Sequence, residues 1–136
     1  MPLDRIAERA GLSASPCWRR IQKLEAAGII IRRVALLDPE RMNVGVTVFV
    51  AIRTNQHSKA WAERFFRAVD AIPEVVEFYR MSGETDYMLR VVVPDIAAYD
   101  AVYQRLIAQV ELYDVSSNFA MERIKHTTAL PISYAR

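Results

Sequence analysis

At 136 residues, with 52% hydrophobic and 25% charged side chains, the chain is long enough for one ordinary domain or two small ones and can bury a real core. No apolar run approaches the ~20 residues of a membrane span and no signal-peptide pattern is present, so a cytoplasmic protein with no membrane partner is expected. Cys17 is the sole cysteine, which excludes an intrachain disulfide and a cysteine-rich metal site, and the net charge of +2 is unevenly spread: residues 1–33 hold seven Lys or Arg against three Asp or Glu, while the remainder is net negative.

Leu3, Ile6, Ala7 and Ala10 recur at helical spacing and predict a short helix that Gly11 lets the chain leave sharply. A second helix is predicted from Ser13 to Gly28. Ser13 or Ser15 can cap it, Pro16 falls in its first turn, and Gly28 is placed to end it in a left-handed conformation. Cys17, Ile21, Leu24 and Ala27 then face inward, leaving Arg19, Arg20, Gln22, Lys23 and Ala26 outside. Such a pair, joined by a tight turn, suits a helix-turn-helix whose second helix enters the major groove of double-stranded DNA. An ordinary helical hairpin with a solvated basic face fits the same spacing. The concentration of positive charge in this segment favours the DNA reader, because phosphate attraction and counterion release require it.

The β-branched run Ile29–Leu37 predicts a strand or small hairpin, a wing, with Arg32 and Arg33 able to approach the DNA backbone. Asp38–Asn43 is polar and contains Pro39; the expected domains are therefore residues 1–38 and 44–136, with 39–43 as linker. From Val44 the apolar period changes to two, predicting a strand to about Thr54. Ser58 opens a helix with Trp61, Phe65, Ala68, Val69 and Ile72 on one side, ended by Pro73. Strands are expected at Val75–Met81 and Asp86–Val93 around the turn Ser82–Thr85. A helix from Pro94-Asp95 follows, with Ile96, Tyr99, Tyr103, Leu106, Ile107 and Val110 inward, then a last strand over Asp114–Lys125.

The order βαββαβ is that of a ferredoxin-like domain, so the fold class is α+β: a helix-turn-helix followed by a four-stranded antiparallel sheet with both helices on one face. Its other face would present residues such as Phe49, Tyr79, Val92, Phe119 or Met121. A second copy joined sheet to sheet is the simplest cover for such a patch, and a homodimer also suits two DNA half-sites.

Four stretches resemble the Lrp/AsnC (leucine-responsive, feast/famine) family of transcriptional regulators: Ala10–Ser13 through Pro16-Cys17, Arg19-Arg20 and Leu24-Glu25; Ala27–Ile30; Ser82–Tyr87; and Arg123–Pro131. The resemblance implies a winged helix-turn-helix and a ferredoxin-like effector domain, dimers assembling into octamers or similar rings, and an amino acid or related metabolite bound between dimers. It also implies a further helix ahead of Pro2–Ala10 that would complete a three-helix core. This chain begins too late to hold it, so the motif is expected to be partial, with Leu3, Ile6, Cys17 and Leu24 short of cover. The tail Thr127–Pro131 is expected at a subunit contact, and Trp18, where the family generally has a smaller residue, at the edge of the helix pair.

The DNA-binding residues expected on these grounds are Ser13, Ser15, Pro16, Arg19, Arg20, Gln22, Lys23, Arg32 and Arg33. The effector would sit beside Ser82, Gly83, Glu84, Thr85, Asp86 and Tyr87. There Gly83 frees the backbone, turn N–H groups can hold a carboxylate, and Asp86 or Glu84 can pair with an ammonium. By residue type alone, Gly83 serving only the turn and Asp86 only the local backbone is the favoured reading, and only the family resemblance reverses it. A second reading of the whole chain is a small-molecule-binding oligomerisation module with little DNA affinity. No nucleophile with a base, phosphate-cradling loop or metal spacing is present, and no cofactor or enzymatic role is expected.

Overall fold

A computed structural model describes residues 1–136, which fall into two compact units, Met1–Leu36 and Leu37–Arg136. No helix is long and apolar enough to cross a membrane.

The first unit is a pair of helices, α1 (Leu3–Ala10) and α2 (Ala14–Ala26). Each ends in the same way. Gly11 (φ 67°) and Gly28 (φ 73°) take the left-handed conformation, so that the following N–H turns back: Leu12 donates to the Ala7 carbonyl and Ile29 to that of Leu24, both at 2.9 Å. Ser13 occupies the cap position of α2, but its hydroxyl makes no capping hydrogen bond, and Ser15 lies inside the helix rather than at its cap. Ala7 and Cys17 are the buried residues here.

Two inward expectations for α2 are corrected: Leu24 is 39% exposed and Ala27 is exposed, because α1 spans only two turns and cannot cover the far end of a 13-residue helix. The expected wing strand is also corrected. Residues 29–37 form no strand, and Ile29, Ile31, Val34, Leu36 and Leu37 stay exposed. The run contains no second strand to pair with, and an isolated strand leaves its N–H and C=O groups to water.

In the second unit, β1 (Val46–Arg53), α3 (Lys59–Asp70), β2 (Val75–Arg80), β3 (Tyr87–Val93), α4 (Ile96–Gln109) and β4 (Asp114–Phe119) form the expected βαββαβ order. The sheet order is β2-β3-β1-β4, antiparallel throughout. Pairing Val48 with Val91, Val50 with Leu89 and Ile52 with Tyr87 puts six side chains on one face. They pack with Trp61, Phe65, Val69 and Ile72 of the α3 segment and Tyr99, Val102 and Leu106 of α4. Helix starts are capped as their sequences suggest: Ser58 Oγ accepts the Trp61 N–H at 3.1 Å and Asp95 Oδ1 that of Ala98 at 2.8 Å.

The inward stripe of α3 is as expected, that of α4 only in part. Ile96 is 71% exposed at the first turn, Ile107 is exposed, and Val102 is buried in their place. Tyr99, Val102, Leu106 and Val110 make a stripe too narrow to include Ile107. Strand β4 stops at Phe119 rather than Lys125, since its partner β1 begins at Val46 and the last ladder bond is Ala120 N–H to the Thr47 carbonyl. Phe119 is moreover opposite Val48, on the helix side, where its ring meets Tyr99 at 5.4 Å; Met121 lies beyond the strand.

The open face carries Thr47, Phe49 and Ala51 of β1, Met88, Arg90 and Val92 of β3, Glu77 and Tyr79 of β2, and Ser116 and Asn118 of β4. Across it Arg90 donates to the Glu77 carboxylate, which also accepts from the Tyr79 hydroxyl. The Arg90 guanidinium holds the Glu77 carboxyl below its ordinary value of 4.5. A depressed folded value means that the stabilisation is complete at neutral pH and is lost as pH falls from about 4.5 through the lower folded value. Glu77→Gln is therefore expected to remove part of the acid sensitivity, giving thermal midpoints that fall less between about pH 6 and pH 3, across the carboxylate range, than those of the unchanged chain.

Candidate functional sites

The first candidate site is the outer side of α2. Arg19, Arg20, Gln22 and Lys23 are all exposed there, Ser13 and Ser15 are exposed at its N-terminal end, and Pro16 is half-buried beneath them. With no side-chain cap at Ser13, the first N–H groups of α2 and the positive end of its dipole are available to an anion. Arg32 is exposed, whereas Arg33 is held by Glu25 at 2.6 Å, a contact that draws its guanidinium back onto α2. Trp18 is 52% exposed; with Leu3, Ala14, Ser15 and Arg19 it lines a shallow groove of about 340 Å³. The structure thus gathers Ser15, Arg19, Arg20, Gln22 and Lys23 on one rod.

The second is a cleft of about 960 Å³ between the β1–α3 connection and the β2–β3 turn. Asp86 is its anchor. Its Oδ2 accepts the Thr54 N–H at 2.8 Å, its own N–H donates to the Ile52 carbonyl at 2.9 Å, and its carbonyl accepts the Met81 N–H at 2.8 Å. One residue thereby ties the end of β1 to both arms of the β2–β3 turn. Thr54 is buried, and its Oγ1 accepts the Gln56 N–H at 2.9 Å, which shapes the loop toward Ser58. Gly83 has φ 94°, a conformation costly for any side chain, while a Cβ there would meet nothing within 4 Å; backbone shape, not space, calls for glycine.

Of the six expected effector residues, Ser82, Asp86 and Tyr87 line the cleft, and Gly83, Glu84 and Thr85 do not. The Asp86 carboxylate bonds the backbone at Thr54, just past the end of β1, rather than that of its own turn. The cleft also draws in residues that sequence reasoning missed, Lys59 and Arg80 as cations and Trp61, Phe66 and Met81 as apolar wall. Lys59 and Trp61 stand more than twenty positions from the turn, and only the pairing of β1 with β3 brings them near it. A carboxylate and two cations in one cleft suit a small zwitterion, with apolar surface beside them for its remainder.

A basic helix pair ahead of a split βαβ sheet with a polar cleft defines a class: DNA-binding regulators with a separate small-molecule domain. Residues 1–31 match the winged helix-turn-helix DNA-binding family and residues 47–130 the Lrp/AsnC ligand binding domain. The chain is 50% identical over 133 residues to the DNA-binding transcriptional activator DecR of Escherichia coli, covering 97% of this chain and 88% of that protein. An AsnC family transcriptional regulator from Agrobacterium tumefaciens superposes with a TM-score of 0.93 at 62% identity, covering 100% of this chain and 89% of that one. A transcriptional regulator from Neisseria meningitidis, solved as a complex with L-methionine, gives 0.90 at 36% identity, covering 98% and 86%. The chain belongs to the Lrp/AsnC family of transcriptional regulators.

The Asp86 clamp makes a measurable distinction. Asp86→Ala removes the acceptor for Thr54 N–H and is expected to cost about 1 to 3 kcal/mol in urea unfolding. Asp86→Asn keeps an acceptor oxygen and is expected to stay within about 1 kcal/mol of the unchanged chain while losing the charge. Equal destabilisation by both variants would contradict the backbone role.

Proposed function

We propose that this chain regulates transcription in the cytoplasm by reading double-stranded DNA with α2 and by sensing an amino-acid-like effector in the Asp86 cleft. Residues 1–38 are the reading domain, 39–43 the linker and 44–136 the sensing and assembly domain. The observation that carries the reading is the exposed row Arg19, Arg20, Gln22 and Lys23 in a segment of net positive charge, within a chain whose remainder is net negative. Ser13, Ser15 and Pro16 bring the helix N-terminus to a phosphate. Arg19, Arg20 and Lys23 meet phosphates or guanine, Gln22 approaches base edges, and Arg32 meets the backbone. Arg33 joins them once released from Glu25. At the cleft, Asp86 takes the effector's ammonium and the turn Ser82–Tyr87 frames its carboxylate, with Gly83, Glu84 and Thr85 acting through the shape of the turn.

We propose with it a homodimer formed sheet to sheet, supported by Phe49, Tyr79 and Val92 sharing the open face. Such dimers assemble further, to an octamer or similar ring, with the exposed Thr127–Pro131 tail at a subunit contact. A sensing module with weak DNA binding is the alternative; the thin core of the first unit, Ala7 and Cys17, favours it.

Two measurements decide. Against a duplex selected from a random pool, changing Arg19, Arg20 and Lys23 together to Ala is expected to abolish the gel shift. Arg20→Ala alone is expected to cost about 1 to 3 kcal/mol if it meets guanine, or to lower the salt slope by about 1 if it meets phosphate. Unchanged binding by the triple variant would favour the alternative. Phe49 is 41% exposed, so Phe49→Asp is expected to leave the fold intact and to convert the dimer to monomer in sedimentation velocity.

A further inference from the structure

The chain has two tryptophans, and the structure uses them in opposite ways. Trp61 is 3% exposed, stacks on Phe65 at 4.9 Å and donates its indole N–H to the Glu111 carbonyl at 3.3 Å. Trp18 is 52% exposed, and with Leu3, Ala14, Ser15 and Arg19 it borders only the shallow groove of about 340 Å³ at the edge of the helix pair. The inward side of α2 is taken by Cys17, the buried residue of that helix. Ser15, Trp18, Arg19 and Gln22 stand at i, i+3, i+4 and i+7 and so share one face, on which all four are exposed. Trp18 is also the fifth residue of α2, near the N-terminal end that approaches base edges in a helix-turn-helix.

We propose that Trp18 is a specificity-determining residue of α2, its ring resting against the 5-methyl group of a thymine in the major groove. This rests on the reading of α2 as the helix that enters DNA, and adds an apolar contact to a row otherwise made of hydroxyls, amides and charges. Two observations choose DNA as what covers the ring. The neighbouring Arg19 and Arg20 are both exposed, and a protein surface closing over the indole would strip water from those guanidiniums, whereas phosphates compensate them as the ring is buried. The ring is also continuous with Ser15, Arg19 and Gln22, so the surface that meets them meets it too. Within the groove, the thymine methyl is the one apolar group among edges of hydrogen-bonding atoms. The carbon edge of the indole set against guanine or cytosine would take water from those atoms and return no hydrogen bond. Burial of the methyl group against the ring therefore favours thymine at that step, and because neither partner carries a charge the contact is insensitive to salt.

The full chain and a duplex recovered from a random pool test this. Replacing each thymine in turn by deoxyuridine removes one methyl group and leaves the base pairing unchanged. At one thymine in each half-site the replacement is expected to weaken binding by the unchanged chain about fourfold, the worth of one buried methyl, and to leave Trp18→Ala no weaker than before. On the thymine duplex, Trp18→Ala is expected to bind about tenfold more weakly with an unaltered salt slope, since the area lost is apolar, with thermal unfolding confirming the fold. Uracil sensitivity that is absent, or that persists in full in Trp18→Ala, overturns the proposal, as does Trp18→Ala binding as tightly as the unchanged chain. If the Arg19, Arg20 and Lys23 triple variant loses the gel shift while Trp18→Ala keeps its affinity and its uracil sensitivity, α2 stands as the reader and the thymine contact falls. No duplex recovered by the unchanged chain would overturn both. A changed sedimentation coefficient of DNA-free Trp18→Ala would assign the ring to a contact between copies and equally overturn the thymine contact.

Discussion

The second unit depends on the pairing of β1 with β3 on one side and β4 on the other. Because side chains alternate along a strand, this register sends Val48, Val50 and Ile52 to the helices and Thr47, Phe49 and Ala51 to the open face, and a slip by one residue would exchange the two sets. The same register aligns Ile52 with Tyr87, so that Thr54, just past the end of β1, and Asp86, just before β3, can be joined by a single carboxylate. The core and the cleft are consequences of one alignment. That is why the cleft lies at a strand end: the ladder stops there, and a side chain takes over the hydrogen bonding that the backbone no longer supplies.

The first unit is organised on a different principle. Two short helices bury little, and their shape comes from the glycine-terminated ends, where Gly11 and Gly28 reverse the chain and return an N–H to the preceding turn. Burial of Cys17 and Ala7 fixes which side of α2 faces inward, and the cations are thereby left outside. Residues 1–31 match the winged helix-turn-helix DNA-binding family, and in helix-turn-helix motifs it is the second helix that enters the groove.

The two units also divide the labour electrostatically. Positive charge is gathered in the segment containing α2, while the second unit is net negative and pairs a few of its charges, Glu77 with Arg90 across the open face and Glu74 with Arg105 between β2's approach and α4. The net negative charge of the second unit leaves it little long-range attraction for an anionic partner, and that attraction is concentrated in the first.

The helix pair, the βαββαβ order, the inward stripe of α3 and the caps at Ser58 and Asp95 were legible in the amino-acid sequence, since each follows from spacing or from a residue beside its own helix. The turn at Ser82–Thr85 was legible as a turn, and only the family resemblance singled it out further. What the sequence left open was everything set by partners distant along the chain: the end of β4, the side taken by Phe119, the failure of residues 29–37 to pair, the exposure of Ile96, and the arrival of Lys59, Trp61 and Phe66 at Asp86. Periodicity reports which side chains share a face of one element. Only the tertiary structure decides which element that face meets, because a ladder ends where its partner ends and a cleft is made of residues that no local rule connects.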